Sequence, residues 1–285
     1  MPTRFVERVD KVLKSRESLL CVGLDPEPAR MPKPLKSLPP VKALGKFLDG
    51  IVRATLPHAA AYKMQLASFL RYGPRGIELL QELTERIGPD RLRILDMKAN
   101  DIPNTMRLYH DAAFTELGFD AVTVSPWFGW ESFEPFTEDP KHGFFVVGHS
   151  SNSGAPDFQE IPTPRGPLWQ AVVAEVKELS LRYGNCGVVI GTTYADATRS
   201  AREILGNGVP ILAIGVGAQG GALTMAVREG VDARGRSLLV GASRSILYAS
   251  TGPEWAKSAG AEALRLKTQI NQLRLGLRTS GRASA

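Results

Sequence analysis

The 285-residue chain predicts a single (β/α)8 TIM barrel with an added N-terminal helix and a basic C-terminal helix, and three observations carry that expectation. Eight short apolar segments alternate with amphipathic helical patterns, the pattern of parallel strands joined by helical crossovers. No linker-like stretch interrupts the alternation, which favours one domain over residues 1–285 rather than two small ones. The polar residues that stand out fall at the C-terminal ends of strands, where barrel enzymes carry their chemistry. A doubly wound open sheet is the competing architecture, because strand count alone does not enforce closure.

Phe5, Val6, Val9, Val12 and Leu13 recur at helical spacing before strand one, residues 19–24, which runs into Asp25. Residues 26–40 are too rich in proline for helix or sheet and read as a long surface loop. A helix over 43–55 leads to strand two, 59–65, with Lys63 near its end. Pro74 opens the next helix, Gly88 stops it, and strand three spans 92–96. A helix through 106–117 ends at Gly118, strand four is 121–124 and strand five is 144–148. Residues 151–167 form a long polar connection without periodicity, expected to act as a lid. After a helix over 168–183, strands six, seven and eight are 187–190, 211–214 and 238–240. Residues 276–285 are expected as a frayed basic tail.

With 43% hydrophobic and 22% charged residues and no apolar run near bilayer length, the composition points to a soluble protein without a membrane partner. The N-terminus has no apolar core and carries acidic residues, so it resembles no leader, and a cytoplasmic location is expected. Cys21 and Cys186 lie at or near apolar strands and read as buried free thiols. The net charge of +6 is spread along the chain, densest at Arg265, Lys267, Arg274, Arg278 and Arg282, and no nucleic-acid motif accompanies it. Such a balance suits a phosphorylated metabolite better than nucleic acid.

The richest stretch is Asp96-Met97-Lys98-Ala99-Asn100-Asp101-Ile102-Pro103-Asn104-Thr105. Strand alternation puts Asp96 and Lys98 on one face and Met97 on the other, while Pro103 ends the ladder and favours a helix from near Thr105. After strand seven, Gly215-Val216-Gly217-Ala218-Gln219-Gly220-Gly221 is a literal G-x-G-x-x-G. It belongs to the seventh unit, and Asp232 comes too early for a ribose ligand, so it reads as a turn whose N–H groups cradle one phosphate. After strand eight, Gly241-Ala242-Ser243-Arg244-Ser245 adds an arginine able to fork two phosphate oxygens. Loops after strands seven and eight are a recurrent phosphate site of barrels. His58, His110, His142 and His149 show no metal-ligand spacing, and the central carboxylates come with lysines that neutralise them; neither metal nor cofactor is expected.

The Asp96–Thr105 stretch resembles the Asp-x-Lys-x-x-Asp-Ile-Pro-x-Thr signature of orotidine 5′-phosphate decarboxylases. Gly215–Gly221, Ser243-Arg244-Ser245-Ile246, Gly23-Leu24-Asp25 and Tyr62-Lys63 are similar to that family's other motifs, so the resemblance runs from about residue 20 to 250. The length, the proline-rich first loop and the Ser-Asn pair after strand five look like the longer bacterial type, type 2, although Ser153 stands where the family commonly has Pro. The resemblance implies conversion of orotidine 5′-phosphate to UMP and CO2 in pyrimidine biosynthesis. Lys98 would stabilise and protonate the C6 carbanion, with Asp96 near the scissile carboxylate. Asp25 and Lys63, with Asp101 and Thr105 from a second copy of the chain, would hold the ribose and complete the charge network, and Ile102 accompanies them in the signature. Ser151 would bond the pyrimidine; Gln219 and Arg244, with the small residues Gly217 and Ser243 of their turns, would hold the phosphate. A homodimer with shared sites follows.

Bottom-up chemistry agrees: decarboxylation leaves an electron pair on carbon, which a preorganised ammonium in a water-poor pocket stabilises. Two alternatives remain. One is a magnesium-dependent sugar-phosphate decarboxylase or aldolase of the same superfamily, which also resembles Asp-x-Lys-x-x-Asp but lacks the match at Ile102-Pro103 and Gln219. The other is a nucleotide-sensing pseudoenzyme on this barrel.

Overall fold

The apolar segments pair as parallel strands because each is buried on both faces, by the barrel interior on one side and by crossover helices on the other. In the computed structural model, which describes residues 3–216 and 220–280, they are β1 (Leu20–Leu24), β2 (Ala61–Gln65), β3 (Leu92–Ala99), β4 (Ala121–Val124), β5 (Gly143–His149), β6 (Cys186–Gly191), β7 (Ile211–Ile214) and β8 (Leu238–Ala242). Every neighbouring pair is parallel, and β8 returns to pair with β1 through Leu20–Val240, Cys21–Gly241 and Val22–Ala242, which closes the barrel. Closure decides against the open sheet.

The helices that cover the barrel are α1 (Phe5–Arg16), α2 (Pro40–Thr55), α3 (Leu66–Leu70), α4 (Pro74–Ile87), α5 (Pro103–Asp111), α6 (Glu134–Thr137), α7 (Leu168–Tyr183), α8 (Ala195–Leu205), α9 (Gly220–Gly230), α10 (Arg244–Leu247) and α11 (Trp255–Ser280). Proline opens α2, α4 and α5 at a position whose N–H has no intrahelical partner anyway. α11 buries Trp255, Ala259, Ala263, Leu266 and Ile270 and packs on α2, while residues 281–285 lie outside the described part. Among the described residues no helix is long and apolar enough to cross a membrane.

Several boundaries differ from the sequence reading for identifiable reasons. The proline-rich segment is not simply a surface loop: it holds two 3-10 turns, Pro28–Arg30 and Lys33–Leu35, and buries Met31 and Leu35. β3 runs on to Ala99, three residues past its expected end, because a bulge keeps it paired with β4. The segment 151–167 has structure of its own, a 3-10 turn at Ala155–Asp157 and an antiparallel ribbon of Pro162–Thr163 with Gly166–Pro167.

At the N-terminal end of the barrel, Asp120 is buried among arginines. Arg93 forks it at 2.7 and 2.8 Å, and Arg8 adds a third guanidinium contact at 2.7 Å. Asp120 also accepts the backbone N–H of Arg93. Each carboxylate oxygen is therefore occupied by a donor that cannot be deprotonated in the working range.

Candidate active site

The opposite, C-terminal mouth of the barrel is built from consecutive strand ends. Register pairs Gly23 with Lys63 and Gln65 with Asp96, so β1, β2 and β3 deliver their charged residues side by side. Lys63 Nζ lies 3.3 Å from Asp25 and 2.7 Å from Asp96 Oδ2, and Lys98 Nζ donates to Asp96 Oδ1 at 2.5 Å. The result is a row of alternating sign, Asp25, Lys63, Asp96, Lys98.

Lys63 and Asp96 are buried, at 8% and 5% exposure, while the Lys98 side chain keeps 41%. Burial works against charge on Asp96, but the ammonium groups of Lys63 and Lys98 outweigh it and hold the carboxyl down at about 2. Burial likewise opposes charge on Lys63, yet Asp25 and Asp96 keep it protonated beyond the ordinary lysine range. Cys21, on β1 beneath the row, is pushed up to about 12 by burial. Its thiol is an inert packing element.

The side chains of Asp96 and Lys98 do meet, but not through simple alternation. Between the pairs Leu95–Val122 and Ala99–Val124, the three residues Asp96, Met97 and Lys98 face the single residue Thr123. Lys98 takes up the surplus with a left-handed backbone, φ 46°. Its N–H, drawn off the ladder, donates to Thr123 Oγ1 at 3.0 Å, and the same hydroxyl donates to Asp96 Oδ1 at 2.9 Å.

From the adjoining strand β8, Ser243 Oγ donates toward Asp25 at 2.9 Å and Gly23 O at 3.0 Å, joining the β8 turn to the row. That approach needs a glycine at 23, where a Cβ would lie 2.9 Å from Asp25 and Ser243. Arg244 opens α10 beside it, exposed. Asp25, Lys63, Asp96, Gly215, Ser243 and Arg244 line one cavity of about 560 Å³. Gly215, at φ 79°, also meets Ser151, whose Cβ would stand 3.1 Å from any Cβ placed there. The loop carrying Ser151 is fastened nearby: Ser150 N–H donates to Gln159 at 2.8 Å, and His149 bonds Glu160 at 3.1 Å.

Five expected site residues, Asp25, Lys63, Asp96, Lys98 and Ser243, thus form one bonded cluster, with Arg244 on the same cavity and Ser151 against its Gly215 edge. Asp101, Ile102 and Thr105 lie beyond the strand, at the start of α5. Asp101 accepts the N–H of Ile102 at 2.8 Å and forms no ion pair with Lys63 or Lys98 of its own chain; Ile102 is 54% exposed. Gly217 and Gln219 lie outside the described residues. Sequence reasoning missed Thr123, whose one signal was a hydroxyl in an otherwise apolar strand. It also missed Arg30 and Tyr248, which stack at 4.1 Å on the cavity wall; a cation in a proline-rich loop carries no motif. Among the described residues no group of three His, Cys, Asp or Glu side chains converges to hold a metal.

The model of the orotidine 5'-phosphate decarboxylase / HUMPS family matches residues 18–259. The chain is 38% identical over 274 residues to an orotidine 5'-phosphate decarboxylase of Dehalococcoides mccartyi, covering 95% of this chain and 98% of that one. It is 39% identical to the enzyme of the same name from Thermomicrobium roseum, over 95% and 96% of the two chains. Among solved structures, a putative orotidine-monophosphate-decarboxylase from Toxoplasma gondii superposes with a TM-score of 0.85 at 31% identity, covering 94% of this chain and 96% of that one. A match over most of the chain, together with relatives of this identity and coverage, establishes that the protein is a lyase belonging to the orotidine 5'-phosphate decarboxylase / HUMPS family.

Proposed function

We propose that the protein is a type 2 orotidine 5′-phosphate decarboxylase, which converts orotidine 5′-phosphate to UMP and CO2 in pyrimidine biosynthesis without metal or cofactor. The observation that carries the reading is the row Asp25, Lys63, Asp96, Lys98, in which both lysines are fixed by a carboxylate that stays ionised. The substrate phosphate is assigned to Arg244 and the glycine-rich turn after β7, and the pyrimidine to Ser151. The C6 carboxylate would then stand beside Asp96. The bond between C6 and the carboxylate breaks with its electron pair left on C6, and CO2 departs. Lys98 stabilises that pair and delivers a proton to C6, and the neutral amine recovers one from water. Interactions with the remote phosphate offset the cost of bringing two carboxylates together.

The test is loss of orotidine 5′-phosphate absorbance on mixing with enzyme exhaustively treated with EDTA. Undiminished turnover is expected. Strict dependence on added magnesium would favour the sugar-phosphate members of the family instead.

The shared-site dimer is supported by the Asp101 carboxylate, which is not engaged by its own Lys98, and by the exposed Ile102, Leu108, Tyr109, Trp127 and Phe128 around it. Lys98→Ala and Asp101→Ala homodimers should each be nearly inactive, and refolding them together should recover roughly a quarter of parental sites, since half of the dimers are mixed and hold one intact site. Mixed dimers that form yet stay inactive would return Asp101 to its own barrel.

A further inference from the structure

Thr123 is buried to 1% exposure in the middle of β4, opposite the one irregularity in the β3–β4 ladder. A threonine hydroxyl has one proton and two lone pairs. Here the proton goes to Asp96 Oδ1, and a lone pair takes the backbone N–H of Lys98. Asp96 Oδ1 also receives the Lys98 ammonium. The contacts therefore form a loop: from the Lys98 backbone to Thr123, on to Asp96, and back to the tip of the same lysine. Both ends of Lys98 are tied, one through its left-handed backbone and the other through its Nζ.

We propose that Thr123 is a positioning residue for the decarboxylation, an inference that rests on the functional reading above. Its hydroxyl holds the bulge and the Asp96 carboxylate in the arrangement that sets the Lys98 ammonium on Asp96 Oδ1. Without that hydroxyl, the Lys98 N–H loses its acceptor and Asp96 Oδ1 keeps only the Lys98 ammonium, so the flexible four-carbon stem is untied at its backbone and rests at its tip on a less firmly held carboxylate. The contacts proposed for the phosphate and the pyrimidine, at Arg244, the glycine-rich turn and Ser151, do not include Thr123, which is absent from the lining of the Arg244 cavity. The expected signature is a loss in kcat that leaves KM almost alone, since small misplacement of a reacting group is costly to rate.

Thr123→Val keeps the shape and removes both hydrogen bonds. Its kcat should fall about 30-fold with KM and the Kd for UMP within about threefold of the parent, and Thr123→Ser should restore kcat to within about threefold. Hydrogen exchange at the Lys98 amide should quicken at least about tenfold in the valine variant and return in the serine variant. If the valine variant does not fold, Thr123→Ser against Thr123→Ala reads the same hydroxyl, and a kcat ratio near one overturns the inference. An active parent whose folded Thr123→Val variant keeps kcat within about twofold, or loses KM and kcat together, sinks this inference alone. A parent that leaves orotidine 5′-phosphate unchanged sinks the functional reading and this inference with it.

Discussion

Both ends of the barrel bury an aspartate among cations, and they choose different cations. At the N-terminal end, Asp120 is gripped by the guanidinium groups of Arg8 and Arg93 and by a backbone N–H. At the C-terminal end, Asp96 is held by two lysines and a hydroxyl. Guanidinium forks fix geometry and do not give up a proton, whereas an ammonium is a compact charge that can. The first arrangement suits a brace between β3, β4 and α1. The second suits proton delivery. The contrast sets a bracing ion cluster apart from the one proposed to react by the composition of the partners, even though the two aspartates are buried alike.

The largest effect expected from this contrast comes from placing the brace's cation in the mouth. With Lys98 as the proposed proton donor, Lys98→Arg should lower kcat about ten-thousand-fold or more, because the charge survives but the donor does not. Circular dichroism should show the fold intact, and a variant retaining a tenth of parental turnover would erase the distinction. Next comes the turn after β8, beside the row: Arg244→Ala should cost about 3 kcal/mol in kcat/KM, the loss of the proposed charge-assisted fork on phosphate. In the parent, added phosphite should partly rescue a phosphate-free substrate; unchanged kinetics in the variant would remove Arg244 from the site.

At the N-terminal end the sign reverses. Asp120→Ala should destabilise the fold by about 3 kcal/mol in urea titration, since Arg93 and its N–H are left without an acceptor, while kcat per folded molecule stays at the parental value. A drop in kcat with stability untouched would contradict the assignment. The smallest effect concerns pH. The folded-state pKa of Asp96 lies below its unfolded value, so folding favours the carboxylate: its contribution, about 2 kcal/mol, is complete above about pH 5 and drains away as pH falls from about 4 towards 2. Asp96→Asn should therefore show a shallower fall of unfolding free energy across that window than the parent, and an identical slope would place the acid lability elsewhere.

The strand ends were readable from the chain because a buried apolar run that stops at a charge can stop only at the barrel rim, as at Asp25, Lys63 and Asp96. The placement of Lys98 was reached for an incomplete reason. Alternation predicts a shared face with Asp96, but a three-against-one bulge does the work, and no glycine marks the left-handed residue. Thr123 stayed hidden for the same cause, since its partners depend on register and register across a parallel pair is not written locally. The proline-rich segment misled differently: its prolines open 3-10 turns and α2 rather than merely forbidding structure.

The pairing of β1 with β8 sets an order of events in time. Ser243 meets Gly23 across 220 residues of chain, a loop whose closure costs about 5 kcal/mol of chain entropy before any contact repays it. Asp25, Lys63, Asp96 and Lys98 all lie in the first half of the chain and are made early, whereas Ser243 and Arg244 come near the end of synthesis. The nascent chain thus carries its charged row for much of translation beside an unpaired β1 edge, and Ser243 and Arg244 arrive with the strand that seals the barrel. The bond from Ser243 to Asp25 can form only when the barrel closes.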